Sequence, residues 1–200
     1  MSKQGRFGTA PKIIVVIGKP NAGKSSLIKT FFKVKTRIGK TPGVTKAIHE
    51  YRICENLLVA DFPGFGKMIT LSRTKIEEIK RQIVQYIERN AKRIVLAILV
   101  INTSSFLDTW ARSIKKEIIP IDYEFITFIN ELKIPLFIVL NKIDKLPKNR
   151  DKVIEKIHEL LKPALIEKNK IFQLSLKTGE GMSLFRREIH IFLEQISCRR

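Results

Sequence analysis

The sequence predicts an α/β fold in three layers, with a mostly parallel sheet of about six strands covered by helices on both faces. Three features of its 200 residues point there. Short β-branched runs are apolar on both faces, as strands buried on both sides require. Segments with apolar residues at helical spacing separate these runs, the alternation of a wound parallel sheet. No internal repeat, low-complexity tract or Gly/Pro/Ser-rich linker interrupts the pattern, so one α/β domain accounts for the chain.

Lys12–Ile17 (KIIVVI) is the first strand. Between Lys46 and Cys54 the residues alternate, as an edge strand does. Leu57–Ala60, Ile94–Ile101 and Leu136–Leu140 are again apolar on both faces, and Ile171–Leu174 is the last and weakest strand. Helical spacing links Ile76, Ile79, Ile83 and Ile87, then Val153, Ile157, Leu160 and Leu161, then Leu184, Phe185, Ile189, Phe192 and Leu193. Trp110 to Leu132 is helical in pattern too, but Pro120 breaks it into two pieces.

Thirty-eight Lys and Arg against 19 Asp and Glu leave a formal charge of +19, and 44% hydrophobic residues suffice for a full core. An excess this large favours a polyanionic partner such as nucleic acid, because each phosphate contact releases a condensed counterion. Cys54 and Cys198 stand in no paired or metal-ligand spacing, which makes a reducing interior the default. His49, His158 and His190 are scattered and form no zinc set. The start, MSKQGRFGTA, lacks the apolar core of a secretory signal. The longest apolar run, Ile94 to Ile101, is too short for a membrane span. These features predict a soluble, cytoplasmic protein with no membrane partner.

The first strand runs into Gly18-Lys19-Pro20-Asn21-Ala22-Gly23-Lys24-Ser25, which fits G-x-x-x-x-G-K-[ST] at every fixed position. Two glycines let the backbone N–H groups wrap a phosphate, and the helix that follows aims its positive end there. Lys24 reaches the β- and γ-phosphates in such a loop, and the Ser25 hydroxyl binds Mg²⁺. Gly18, Asn21, Ala22, Gly23, Lys24, Ser25 and Ser26 are therefore candidate nucleotide contacts, in a P-loop NTPase fold.

Phosphate loops serve ATP and GTP alike, so base choice must come from elsewhere. Asn141-Lys142-Ile143-Asp144 resembles the NKxD guanine-recognition motif of translation-factor-like GTPases. A carboxylate at Asp144 accepts bonds from guanine N1–H and its 2-amino group, a donor pair that adenine lacks. The resemblance has Asn141 tie this loop to the phosphate loop and the Lys142 stem cover the base. Asp61-Phe62-Pro63-Gly64 resembles DxPG, in which Asp61 holds Mg²⁺ through water and the Gly64 N–H touches the γ-phosphate. Thr41-Pro42-Gly43-Val44-Thr45 resembles TPGxT, in which Thr45 closes over Mg²⁺. Ser175-Leu176-Lys177 resembles the SAK element that contacts guanine O6, with Leu in place of Ala. Lys24, Thr45 and Gly64 are the candidate catalytic groups, and Ser25, Thr45 and Asp61 the candidate metal set.

Together GKPNAGKSS, TPGVT, DFPGFG and NKID resemble the EngB (YihA/YsxC) family of ribosome-assembly GTPases, within the TrmE-Era-EngA-EngB-Septin-like superfamily. The stretch from Phe106 to Glu131 is longer than in bacterial members and looks like the archaeal branch. Asn102 stands where bacterial members have an Asp-containing strand end. The resemblance implies one G domain over residues 11–197 after a flexible segment 1–10, acting as a monomer. It implies Mg²⁺-dependent GTP hydrolysis with slow intrinsic turnover, and a switch role in large-subunit assembly through ribosomal RNA. Lys33, Lys35, Arg37, Lys40 and Lys46 surround the first switch and suit that partner. Phe65 replaces the glutamine that orients water in Ras-like enzymes, and a phenyl ring cannot do that work. Related GTPases with Asn at the Asn21 position bind K⁺ there, so K⁺ is the candidate activator. The alternative is a small regulatory switch acting on a protein effector, but Cys198 is followed only by Arg199 and Arg200 and forms no lipidation box.

Overall fold

The computed structural model describes residues 10–34, 37–40, 48–64, 73–166 and 170–196. Within them, one sheet holds seven strands in the order β2-β3-β4-β1-β5-β6-β7. These are β1 (Lys12–Ile17), β2 (Arg37–Lys40), β3 (His49–Cys54), β4 (Leu57–Asp61), β5 (Ile94–Asn102), β6 (Leu136–Asn141) and β7 (Lys170–Leu174). The five strands from β4 to β7 in that order pair in parallel. The β2-β3-β4 edge is antiparallel. The helices are α1 (Lys24–Phe32), α2 (Arg73–Asn90), α3 (Thr103–Ile114), α4 (Ile121–Glu131), α5 (Arg150–Leu161) and α6 (Met182–Gln195). The expected three-layer fold is present with one strand more than anticipated. That strand, β2, is the tetrapeptide Arg-Ile-Gly-Lys, too short and too basic to show an apolar pattern.

Period-two side chains divide the core between the two faces. Ile13, Val15 and Ile17 of β1 and Ala97, Leu99 and Ile101 of β5 pack with Ile79, Ile83 and Ile87 of α2, with Phe125 and Ile129 of α4, and with Ile157 of α5. Ile14 and Val16 of β1 and Ile98 and Val100 of β5 pack instead with Leu27 and Phe31 of α1 and Phe185 and Ile189 of α6. Each such aliphatic chain contributes roughly 1.5–3 kcal/mol by leaving water, which is why the central strands read as continuous apolar runs.

The helical stretch after β5 is interrupted, but the break starts ahead of the proline. α3 ends at Ile114, and α4 opens after Pro120, whose fixed φ of −59 suits the residue that precedes a helix. Glu117, between them, sits at φ 55. Cys54, at the end of β3, is disulfide-bonded. The cysteine spacing, which pointed to a reducing interior as the default, gave no sign of this bond. Among the described residues no helix is long and apolar enough to cross a membrane. Parallel pairing sets Asn102 opposite Asn141 and Asn141 opposite Leu174. The carboxyl ends of these strands therefore meet at one edge, the edge where open α/β sheets bind ligands.

Candidate nucleotide site

At that edge β1 turns into α1 through residues 18–23. Gly18 has φ 146, and a Cβ there would stand 2.3 Å from the Val100 carbonyl oxygen. Only glycine lets the loop lie this close to β5. Gly23, at φ 109, precedes α1, and its missing Cβ leaves room for the Asn141 amide nitrogen, 2.3 Å from where that carbon would be. Asn21 also takes a left-handed conformation, φ 59, one that Asn tolerates. It is exposed, whereas Ala22 is fully buried.

Lys24 is 7% exposed. Its ammonium donates to the carbonyl oxygens of Gly18 and Lys19, each at 3.0 Å. Burial pulls its pKa below the usual lysine value, and the Asp61 charge opposes that shift. Ser25 donates its hydroxyl to Asp61 Oδ2 at 2.7 Å, joining α1 to the end of β4. Gly64 abuts the phosphate loop: a Cβ on it would lie 2.6 Å from the Pro20 nitrogen. A hydroxyl and a carboxylate brought this close are hard oxygen donors, the kind Mg²⁺ takes. Among the described residues no cluster of three His, Cys, Asp or Glu could hold a metal by itself.

The segment after β6 is held by one amide. Asn141 is buried, and its Nδ2 donates to the Ala22 carbonyl at 2.7 Å, while its Oδ1 accepts from the Leu176 N–H at 3.2 Å. The phosphate loop, the β6 turn and the β7 turn are thereby joined. Lys142 sits at φ 70, and burial first, then the neighbouring Lys145 charge, lowers its ammonium pKa against the pull of Asp144. Ser175, fully buried, donates to Asp144 Oδ1 at 2.6 Å and accepts from the Thr178 N–H at 3.1 Å. This leaves Asp144 held at one oxygen by a side chain that cannot wander.

Ser26 and Lys177 are exposed. Thr45 and Phe65 lie outside the described residues, as do Lys35 and Lys46. Two contributors escape a reading of motifs. Thr103, 1% exposed, donates to the Asn141 carbonyl at 2.7 Å and so braces β6 from the start of α3. Asp122, 2% exposed, pairs with Lys19 of the phosphate loop. The only sequence signal for Asp122 is an acid in the first turn of a helix after a proline, a common arrangement.

A protein family described as 50S ribosome-binding GTPase matches residues 13–142. The chain is 38% identical over 188 residues to a probable GTP-binding protein EngB of Pyrococcus horikoshii, covering 94% of this chain and 86% of that one. Its counterpart in Archaeoglobus fulgidus is 34% identical over 191 residues, covering 94% and 95%. A crystal structure described as that of a probable GTP-binding protein engB superposes with a TM-score of 0.78 at 37% identity, covering 92% of this chain and 99% of the other.

Proposed function

We propose that this chain, which belongs to the EngB family of GTP-binding proteins, binds GTP at the carboxyl edge of its sheet, hydrolyses it to GDP and phosphate, and uses the change as a switch in assembly of the large ribosomal subunit. The observation that supports this most is the Asn141 carboxamide, which bonds Ala22 of the phosphate loop and Leu176 of the β7 turn. A site for phosphates and a site for a base then stand on one support.

In this reading, the backbone N–H groups of residues 21–26, at the start of α1, hold the phosphates. Lys24 exchanges the Gly18 and Lys19 carbonyls for β- and γ-phosphate oxygens, and stabilises the charge that grows as the bond to the γ-phosphoryl group loosens. The Gly64 N–H orients the γ-phosphate, and Thr45 closes the site. Asp144 pairs with guanine N1–H and the 2-amino group, Lys142 lies along the base, and the backbone of Ser175, Leu176 and Lys177 meets O6. Ser25, Thr45 and Asp61, the last through water, would hold Mg²⁺, which when bound neutralises charge on the β- and γ-oxygens. Asn21 is the ligand we assign to an activating K⁺. Exchange of K⁺ for Na⁺ then slows turnover several-fold, and equal rates in the two salts would remove K⁺ from the reading.

The formal charge of +19 supports ribosomal RNA as the partner, through salt-sensitive phosphate contacts. Calorimetry with GTP, GDP and ATP tests the nucleotide assignment: Lys24→Ala loses all nucleotides, and Asp144→Ala loses only the preference for guanine. Cosedimentation with purified large ribosomal subunits tests the role. Binding in GTP that weakens in GDP and in high salt supports it; identical binding in both nucleotides excludes a switch.

A further inference from the structure

Lys19 of the phosphate loop sends its side chain to the helices α3 and α4. Its ammonium lies 2.5 Å from Asp122 Oδ2 at the start of α4 and 3.4 Å from Thr109 Oγ1 of α3. Asp122 is 2% exposed, and its second oxygen, Oδ1, is buried without a hydrogen-bond partner. Burial raises its carboxyl pKa, and Lys19 only offsets that. A buried carboxylate with an orphaned oxygen, paired with an ammonium that is 27% exposed, is a poor way to gain stability, because desolvation of the acid consumes most of the attraction. Stability alone therefore does not explain this placement.

The backbone around Lys19 suggests another purpose. The carbonyls of Gly18 and Lys19 are the two acceptors of Lys24. Pro20, the next residue, supplies the N and Cα that stand 2.6 and 2.7 Å from a Cβ on Gly64. One short piece of backbone thus carries the rest position of Lys24 and the seat of Gly64. Its side-chain anchor is a carboxylate more than 100 residues away in sequence.

We propose that Asp122 is a positioning residue for GTP hydrolysis: by gripping the Lys19 ammonium it fixes residues 18–20 so that Lys24 and Gly64 meet the γ-phosphate in register. It touches no substrate and acts through Lys19. The proposal rests on the reading of the loop as a GTP site, which the unaltered protein tests in the same experiment. Misregister of this sort slows the chemical step more than it weakens binding of a diphosphate.

The test uses the full chain with Asp122→Asn, Lys19→Met, Lys19→Arg and the double variant Lys19→Met/Asp122→Asn. Saturating GTP hydrolysis, GDP affinity by calorimetry and thermal unfolding are read on each. The expected result for Asp122→Asn and Lys19→Met is a kcat lowered on the order of tenfold, with GDP affinity within about threefold. Asp122→Asn changes the melting temperature little, since it removes a buried charge while the partly exposed Lys19 ammonium it leaves behind turns to water. Lys19→Arg keeps the rate, and the double variant is no slower than either single one, because the pair acts as a unit. A kcat for Asp122→Asn within about twofold of the unaltered protein, or a loss matched by equal losses of GDP affinity and melting temperature, overturns the proposal. Failure of the unaltered protein to bind or hydrolyse GTP would instead defeat the functional reading itself.

Discussion

The guanine end and the phosphate end of the proposed site are built on opposite plans. After β6 and β7, Asn141, Ser175 and Asp144 bond to one another's loops and to Ala22, and each group holds a position that base recognition would leave intact. At the phosphate end, Lys24 donates to two carbonyls of its own loop and Ser25 to Asp61. In the proposed reading these are the bonds that a triphosphate and a cation would replace. A preorganised surface binds without reorganisation, so it supplies steady affinity for GTP and GDP alike. Groups that change partners are the ones that can tell the two nucleotides apart.

The largest expected effect falls on the end that changes partners. Lys24→Met lowers single-turnover GTP hydrolysis on the order of 10³-fold, the scale of losing a charge aimed at the transition state. The same change stabilises the fold by about 1 kcal/mol, because a buried ammonium gives way to an apolar chain of similar shape. The sign is checked with pH. The folded chain holds Lys24 below the ordinary 10.5, so it gives up the proton before the unfolded chain does. The unaltered protein therefore gains stability relative to Lys24→Met as pH rises toward 10.5. A fall in melting temperature for Lys24→Met would mean that the two carbonyl bonds outweigh desolvation.

At the preorganised end, Asn141→Ala removes the support of three loops and leaves the Ala22 carbonyl and Leu176 N–H without it. GDP affinity falls by about 2 kcal/mol, roughly 30-fold, and calorimetry shows it. If only the rate changed, the contrast between the two ends would be wrong. Smaller still is the cost of editing the base. ITP lacks the 2-amino group, so it binds about tenfold more weakly than GTP, the worth of one bond to a charged acceptor. In Asp144→Ala competition assays no longer separate the two. The smallest effect belongs to Thr103→Val, which keeps shape but removes the bond to the Asn141 carbonyl. It costs about 1 kcal/mol in denaturant unfolding, with nucleotide affinity little altered.

The motif residues could be read in advance because their spacing is local. Gly18 and Gly23 announce themselves by type, as the backbone there must curl past Val100 and Asn141. Asn141 and Asp144 follow a strand whose apolar run is plain. What stayed hidden depends on strand register or on distant partners. Thr103 is an ordinary helix-start residue until β5 and β6 are paired, which brings its hydroxyl to Asn141. Lys19 looks like one more solvated lysine in a chain rich in them until α4 delivers Asp122. β2 has four residues, too few for an alternating pattern to show in the sequence, and pairs with β3.

Since a single carboxamide underlies both halves of the pocket, ligand fragments need not meet in order to help each other. Guanosine on the β6 and β7 turns would hold Asn141 in the place it already has, and with it the curl of backbone proposed for pyrophosphate. The reverse holds by linkage. Medicinal chemistry that treats base and phosphate as separable modules on this scaffold will find their free energies refusing to add.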